Sequence, residues 1–238
     1  MFRFLSTELD RILWTLFYPE CPVCFTPSQP GGTCKGCLVV VPIQGPLCSH
    51  CGLPIKSSEI RCGACCILTK QFLQGAQSLL WLTEDSRKLI HLIKYEKRFE
   101  WLRLFKQIIL TAQPPIGFED AIVIPVPTHP KRFFERGFNQ SEIIARQLAT
   151  QWKMPLNLGL KKIVQTLPQS QLNRGRRTEN LIGCFSWNQK KIPSKVIVVD
   201  DILTTGETLY SCARALKNKG VESVFGWTLF RTIPRDVS

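Results

Sequence analysis

Carboxylates are scarce in this chain of 238 residues: 18 Asp and Glu stand against 31 Lys and Arg, for a formal net charge of +13. That shortage favours an anionic partner, whether a phosphorylated metabolite, a nucleic acid or a membrane surface, and charge alone does not choose among them. The shortage is sharpest between residues 131 and 177, where Glu135 and Glu142 are the only acids among ten Lys or Arg. Low-complexity segments are also missing, and apolar residues make up 44% of the chain, so a disordered polymer is excluded and a real core is expected. The first twenty residues lack the shape of a secretion signal, because Glu8, Asp10 and Arg11 interrupt the apolar residues and no small-residue cleavage site follows. The uncharged stretch after Arg11 is too short to span a bilayer. A cytoplasmic location with reduced thiols is the expectation.

Cysteine all but disappears after residue 66, where only Cys184 and Cys212 remain of eleven. The change of composition near residue 70 marks a domain boundary. Before it, residues 1–19 carry Leu5, Leu9, Ile12, Leu13, Leu16 and Phe17 at helical spacing and read as an amphipathic helix. Residues 20–70 form a cysteine module, and residues 71–238 form the main domain. In that domain GAQSLLWLT reads as a strand, and residues 86–110 as a long basic helix bearing Arg87, Lys88, Lys94, Lys97, Arg98, Arg103 and Lys106 among Tyr95, Phe99 and Trp101. Such a face is either solvated or suited to a nucleic-acid strand, with cations on phosphates and rings on bases. From residue 120 the order is strand, basic loop, helix near 138–151, strand near 157–164, polar loop 165–180, strand KVIVVDD, helix 207–219 and a final strand. This alternation predicts an α/β fold with a parallel sheet and helical crossovers.

The cysteine module holds four C-x-x-C pairs: Cys21/Cys24, Cys34/Cys37, Cys48/Cys51 and Cys62/Cys65. Each pair wraps two sulfurs around one metal, two pairs close a tetrahedral shell, and four pairs suffice for two structural zinc ions. The segment has too few large apolar residues to fold by burial alone, so metal binding would supply much of its folding free energy. Pairing of consecutive knuckles is preferred to an interleaved cross-brace, although spacing alone permits both. His50 reads as a bystander between two ligands, and Cys66 as a spare thiol.

The densest signal is VIVVDDILTTGETL, residues 196–209. A β-branched strand ends in Asp200 and Asp201, and a hydroxyl-rich turn then opens a helix. Ligands of parallel sheets collect at the carboxyl ends of strands. The backbone N–H groups of Thr204, Thr205, Gly206, Glu207 and Thr208 at a helix start can surround a phosphate, and the two carboxylates can accept from a ribose diol. Acids beside a polyphosphate require magnesium or arginines as compensation. A bare Asp pair would be only a polar cap; the apolar strand before it and the turn after it point to the sugar phosphate.

This segment resembles the ribose-phosphate signature of type I phosphoribosyltransferases. KRFFERGFNQSEIIA at 131–145, QSQLNRGRRTEN at 169–180, the Ile93-Lys94-Tyr95 triplet and the leading cysteine pairs narrow the resemblance to the competence protein ComF family and cover almost the whole chain. The resemblance implies a type I phosphoribosyltransferase fold behind a double zinc ribbon. It implies 5-phosphoribosyl-1-pyrophosphate bound with magnesium, its ribose on Asp200 and Asp201 and its 5-phosphate on Thr204 to Thr208. Its pyrophosphate would face Thr128, Lys131, Arg132 and Arg136, with Arg177 a further catalytic candidate on loop 165–180, which either closes as a lid or stays a solvated hairpin. In RGFNQS, Arg136, Asn139 and Gln140 could touch ligand or cap the helix. The family's association with natural transformation implies single-stranded DNA and DNA-uptake proteins as partners. Transfer of the phosphoribosyl group to a small acceptor is the alternative.

Overall fold

The structure is a computed structural model that describes residues 42–67, 72–84, 86–88, 90–91, 109–164 and 183–233. Its elements are α1 (Gly63–Ile67), β1 (Gly75–Leu82), β2 (Ile122–Pro125), α2 (Pro130–Arg136), α3 (Gln140–Trp152), β3 (Leu160–Lys162), β4 (Phe185–Trp187), β5 (Lys195–Leu203), α4 (Glu207–Lys217) and β6 (Ser223–Thr232). The helix expected at 1–19, the first two cysteine pairs, most of the basic helix 86–110 and the loop 165–180 lie outside the described residues.

Four strands form one parallel sheet in the order β1-β6-β5-β2. Val196 to Val199 of β5 are fully buried on both faces, as expected of a central parallel strand read from a continuous β-branched run. On one face α3 lays Ile144, Ala145 and Leu148 against Ile197, Val199 and Trp227; on the other α4 lays Leu209, Cys212 and Leu216 against Val196, Val198 and Val224. Each helix carries one apolar stripe, so each covers one face of the sheet.

Two expectations need correction. The basic segment after β2 is not a loop throughout: Pro130 to Arg136 form α2, with the His129 side chain accepting from the Lys131 N–H, proline at the start and Gly137 in the left-handed region (φ 82°) at the end. These are the start and stop residues a short helix needs. The strand expected at 157–164 shortens to β3 and leaves the parallel sheet, pairing antiparallel with β4. Among the described residues only Leu156, bridging Val123 in parallel, continues the main sheet beyond β2.

The outer edge of β1 is covered by the cysteine module. Ala76 donates to the His50 carbonyl at 2.8 Å, Ile43 donates to that of Leu79 at 3.1 Å, and Pro42 bridges Leu80. The approach is close enough that a Cβ on Gly75 would lie 2.5 Å from the Ser49 carbonyl oxygen, which accounts for glycine there. Among the described residues no helix is long and apolar enough to cross a membrane.

Candidate functional site

The chain leaving β2 turns through α3 to the Leu156 bridge on the outer side of β2, whereas the chain leaving β5 turns through α4 inward to β6. The direction of winding therefore reverses between β2 and β5. A crevice opens at the carboxyl ends of strands at such a point. Because Pro125 pairs with Val199 and the Val126 N–H donates to the Val199 carbonyl at 2.8 Å, the Thr128 loop leaves the sheet beside the Asp200-Asp201 pair, which β5 carries two residues before its end at Leu203.

Asp200 is half-buried, and its Oδ1 accepts from Ser141 Oγ at 2.7 Å and from the Asp201 N–H at 2.9 Å. Ser141 is buried in the first turn of α3, so this helix fixes the carboxylate's orientation. Asn139, also buried, stands at the N-cap position of α3 but makes no side-chain cap there. Instead its Nδ2 donates to the Val126 carbonyl at 3.0 Å and its Oδ1 accepts from Thr128 Oγ1 at 3.1 Å. The RGFNQS segment thus braces both halves of the crevice.

Past β5, Thr204 and Thr205 are exposed and Gly206 adopts φ 82°, which favours glycine, at the N-cap of α4. No side chain caps this helix start, where Glu207 and Thr208 enter the first turn. Its N–H groups and positive dipole end suit an anion. Across the crevice Lys131 is exposed, and Arg132 and Arg136 are half-buried on α2. Lys162 of β3 joins them: burial first, then the neighbouring Arg132, holds its ammonium below the usual range, while Asp200 acts in the opposite sense. Sequence reasoning missed Lys162 and Ser141. Only the short spacing of Ser141 from Asn139 hinted at the second. Beneath the site, burial pushes the Cys212 thiol well up and leaves it a neutral core group. Arg177 lies outside the described residues.

The structure brings Cys48, Cys51, Cys62 and Cys65 together, with their four sulfurs within 4.8 Å of one another. Cys51 and Cys62 are 3.7 Å apart at sulfur, too far for a disulfide of about 2.05 Å. Zinc–sulfur bonds of about 2.3 Å in a tetrahedron put sulfurs about 3.8 Å apart, so the spacing fits zinc. Burial opposes ionisation at Cys48, but the N–H groups of Cys62, Cys51 and His50 outweigh it and lower the thiol to about 6; burial pushes Cys51 up to about 11 and raises Cys65 further. Four converging sulfurs, two of them buried, offer a cation a closed tetrahedral shell. His50 and Cys66 stay outside the set, Cys66 exposed and donating towards the Arg61 carbonyl. Cys21, Cys24, Cys34 and Cys37 fall outside the described residues.

Between this cluster and the Thr204-Gly206 turn lies a cavity of about 330 Å³, bordered by His50, Leu73, Tyr210 and Arg231 among others. Arg231 is buried at the end of β6 and donates to the Cys51 carbonyl.

Comparison with known proteins fits this geometry. Residues 135–232 match the phosphoribosyl transferase domain family, and residues 12–66 match the double zinc ribbon domain family. The chain is 30% identical over 212 residues to the DNA utilization protein YhgH of Salmonella typhimurium, covering 85% of this chain and 91% of that protein. The chain belongs to the competence protein ComF family. Other ComF relatives include competence protein F of Haemophilus influenzae, 28% identical over 84% of this chain and 90% of that protein. Competence protein ComFC of Bacillus subtilis is 26% identical over 80% of each. In this ComF chain the phosphoribosyl transferase match spans every described element from α3 to β6.

Proposed function

We propose that this protein binds 5-phosphoribosyl-1-pyrophosphate with magnesium in the crevice between β2 and β5, and handles single-stranded DNA in the cytoplasm during DNA uptake. The observation that carries the reading is the adjacency of two carboxylates, an uncapped helix start and a cationic loop at two neighbouring parallel strand ends. Asp200 and Asp201 accept from the ribose hydroxyls, and the turn Thr204 to Thr208 surrounds the 5-phosphate. Thr128, Lys131, Arg132 and Arg136, with Lys162 beside them, oppose the charge of pyrophosphate. Hard carboxylate oxygens suit magnesium, which would neutralise the repulsion between these acids and the polyphosphate. The tetrathiolate has no open position, so zinc is structural and takes no part in the chemistry.

The DNA part of the reading rests on the charge of +13 and on the names of the relatives, two of which are competence proteins and one a DNA utilization protein. Calorimetry tests the site. Binding of the magnesium–donor complex should largely vanish in Asp200→Asn/Asp201→Asn while circular dichroism stays native; undiminished affinity would reject the assignment. A second reading, transfer to a small acceptor, is favoured by the cavity beside Thr204 to Gly206, whose volume of about 330 Å³ admits a small planar molecule. Pyrophosphate release in the presence of bases or amines would decide for it.

A further inference from the structure

Helix α2 buries none of its seven residues. It is held by its His129 and Gly137 ends and not by its phenylalanines, which remain in solvent: Phe134 is 84% exposed and Phe133 42%. Opposite them, at the end of β3, Ile163 is 58% exposed, and Leu158 lies on the same groove. Together these residues line an open groove of about 670 Å³ that also runs past Thr128 and His129. Apolar side chains gathered this way on a surface mark a binding site more often than chance.

The rim of the groove is cationic. Lys161 and Lys162 border it from β3, and the helix that carries the phenylalanines also carries Lys131, Arg132 and Arg136. The nearby acids are few: Glu135 on α2, Glu142, whose carboxylate is held by Arg146 at 2.7 Å, and Asp200, whose charge acts on Lys162. Rings flanked by cations are what a flexible polyanion with flat bases requires, because every base can stack and every phosphate finds a positive neighbour. An apolar peptide would gain nothing from the cations, and a carboxylate-rich one nothing from the rings.

We infer that single-stranded nucleic acid runs through the groove between α2 and β3, with bases stacked on Phe133 and Phe134 and phosphates against Lys161 and its neighbours. The inference rests on the DNA reading above and adds to it a path, one that passes directly beside the loop assigned to pyrophosphate. It predicts a division of labour that salt can expose. Cation contacts to phosphate set the slope of affinity against salt, whereas stacking sets its level.

The test uses the full chain with its zinc and a fluorescent oligothymidylate, measured by anisotropy at several salt concentrations. Phe134→Ala and Phe133→Ala should each weaken binding roughly tenfold at every salt concentration with the slope unchanged. Phe134→Trp should restore it, and Lys161→Gln should flatten the slope by about one phosphate contact. Calorimetric affinity of both phenylalanine variants for the magnesium–donor complex should equal that of the parent. Normal DNA binding by both variants would overturn the path while leaving the DNA reading standing. Absence of any salt-dependent binding by the parent would overturn both. Altered donor affinity with unaltered DNA affinity would assign the groove to the donor site and would equally sink the proposal.

Discussion

Strand β5 and the cysteine module face each other across the cavity beside Arg231, yet they are held by opposite means. The strand is fixed by burial: Val196, Ile197, Val198 and Val199 are wholly enclosed between α3 and α4. The module has two buried hydrophobic residues among its described positions, and both are cysteines, Cys48 and Cys65. One region is stable because water is excluded from hydrocarbon; the other depends on a cation that four sulfurs share. The difference teaches where the molecule is conditional. A change of metal supply acts on one wall of the cavity and a change of packing acts on the other.

The comparison can be broken most severely with a chelator. Stripping zinc should release the module, since such sites contribute on the order of 10 kcal/mol of apparent binding free energy. Limited proteolysis should then cut within residues 42–67 while fragments spanning β5 survive, and metal analysis before stripping should find about two zinc ions per chain. Survival of the module without metal would remove the contrast. Next in size, Leu216→Ala on α4 opens a cavity against a fully enclosed position and should cost about 2–5 kcal/mol in chemical denaturation. Zinc content of the folded protein should not change. Smallest is Asn139→Ala, which removes two hydrogen bonds behind the Thr128 loop. It should cost about 1–3 kcal/mol of stability and weaken affinity for pyrophosphate more than for ribose 5-phosphate in calorimetry.

Much of this was legible in the chain. The VIVV run announces a strand buried on both faces, and TTGET places the helix start that follows it, although β5 runs two residues past the Asp pair to Leu203. The C-x-x-C spacing announces the metal-binding knuckles. What stayed hidden has physical causes. Helix α2 reads as loop in the sequence because its charges outweigh its terminal signals, although His129-Pro130 and Gly137 bracket it. Strand β3 left the parallel sheet because its three residues find an antiparallel partner in β4. Ser141 bonding Asp200 from 59 positions away, and Arg231 reaching Cys51 from 180 away, are products of tertiary packing that no local pattern encodes.

The β1 edge bears on how the chain is made. Gly75–Leu82 emerges early from the ribosome but pairs with Ser223–Thr232, so its inner hydrogen-bonding row waits for nearly the whole chain to be synthesised. During that interval an unpaired apolar strand is an invitation to aggregate. The cysteine module precedes β1 in order of synthesis and docks on the strand's other row through His50 and Ile43. A nascent chain that has captured zinc therefore offers neighbours one open strand edge instead of two, and cells short of the metal should accumulate this protein in inclusion bodies before they lose it to proteolysis.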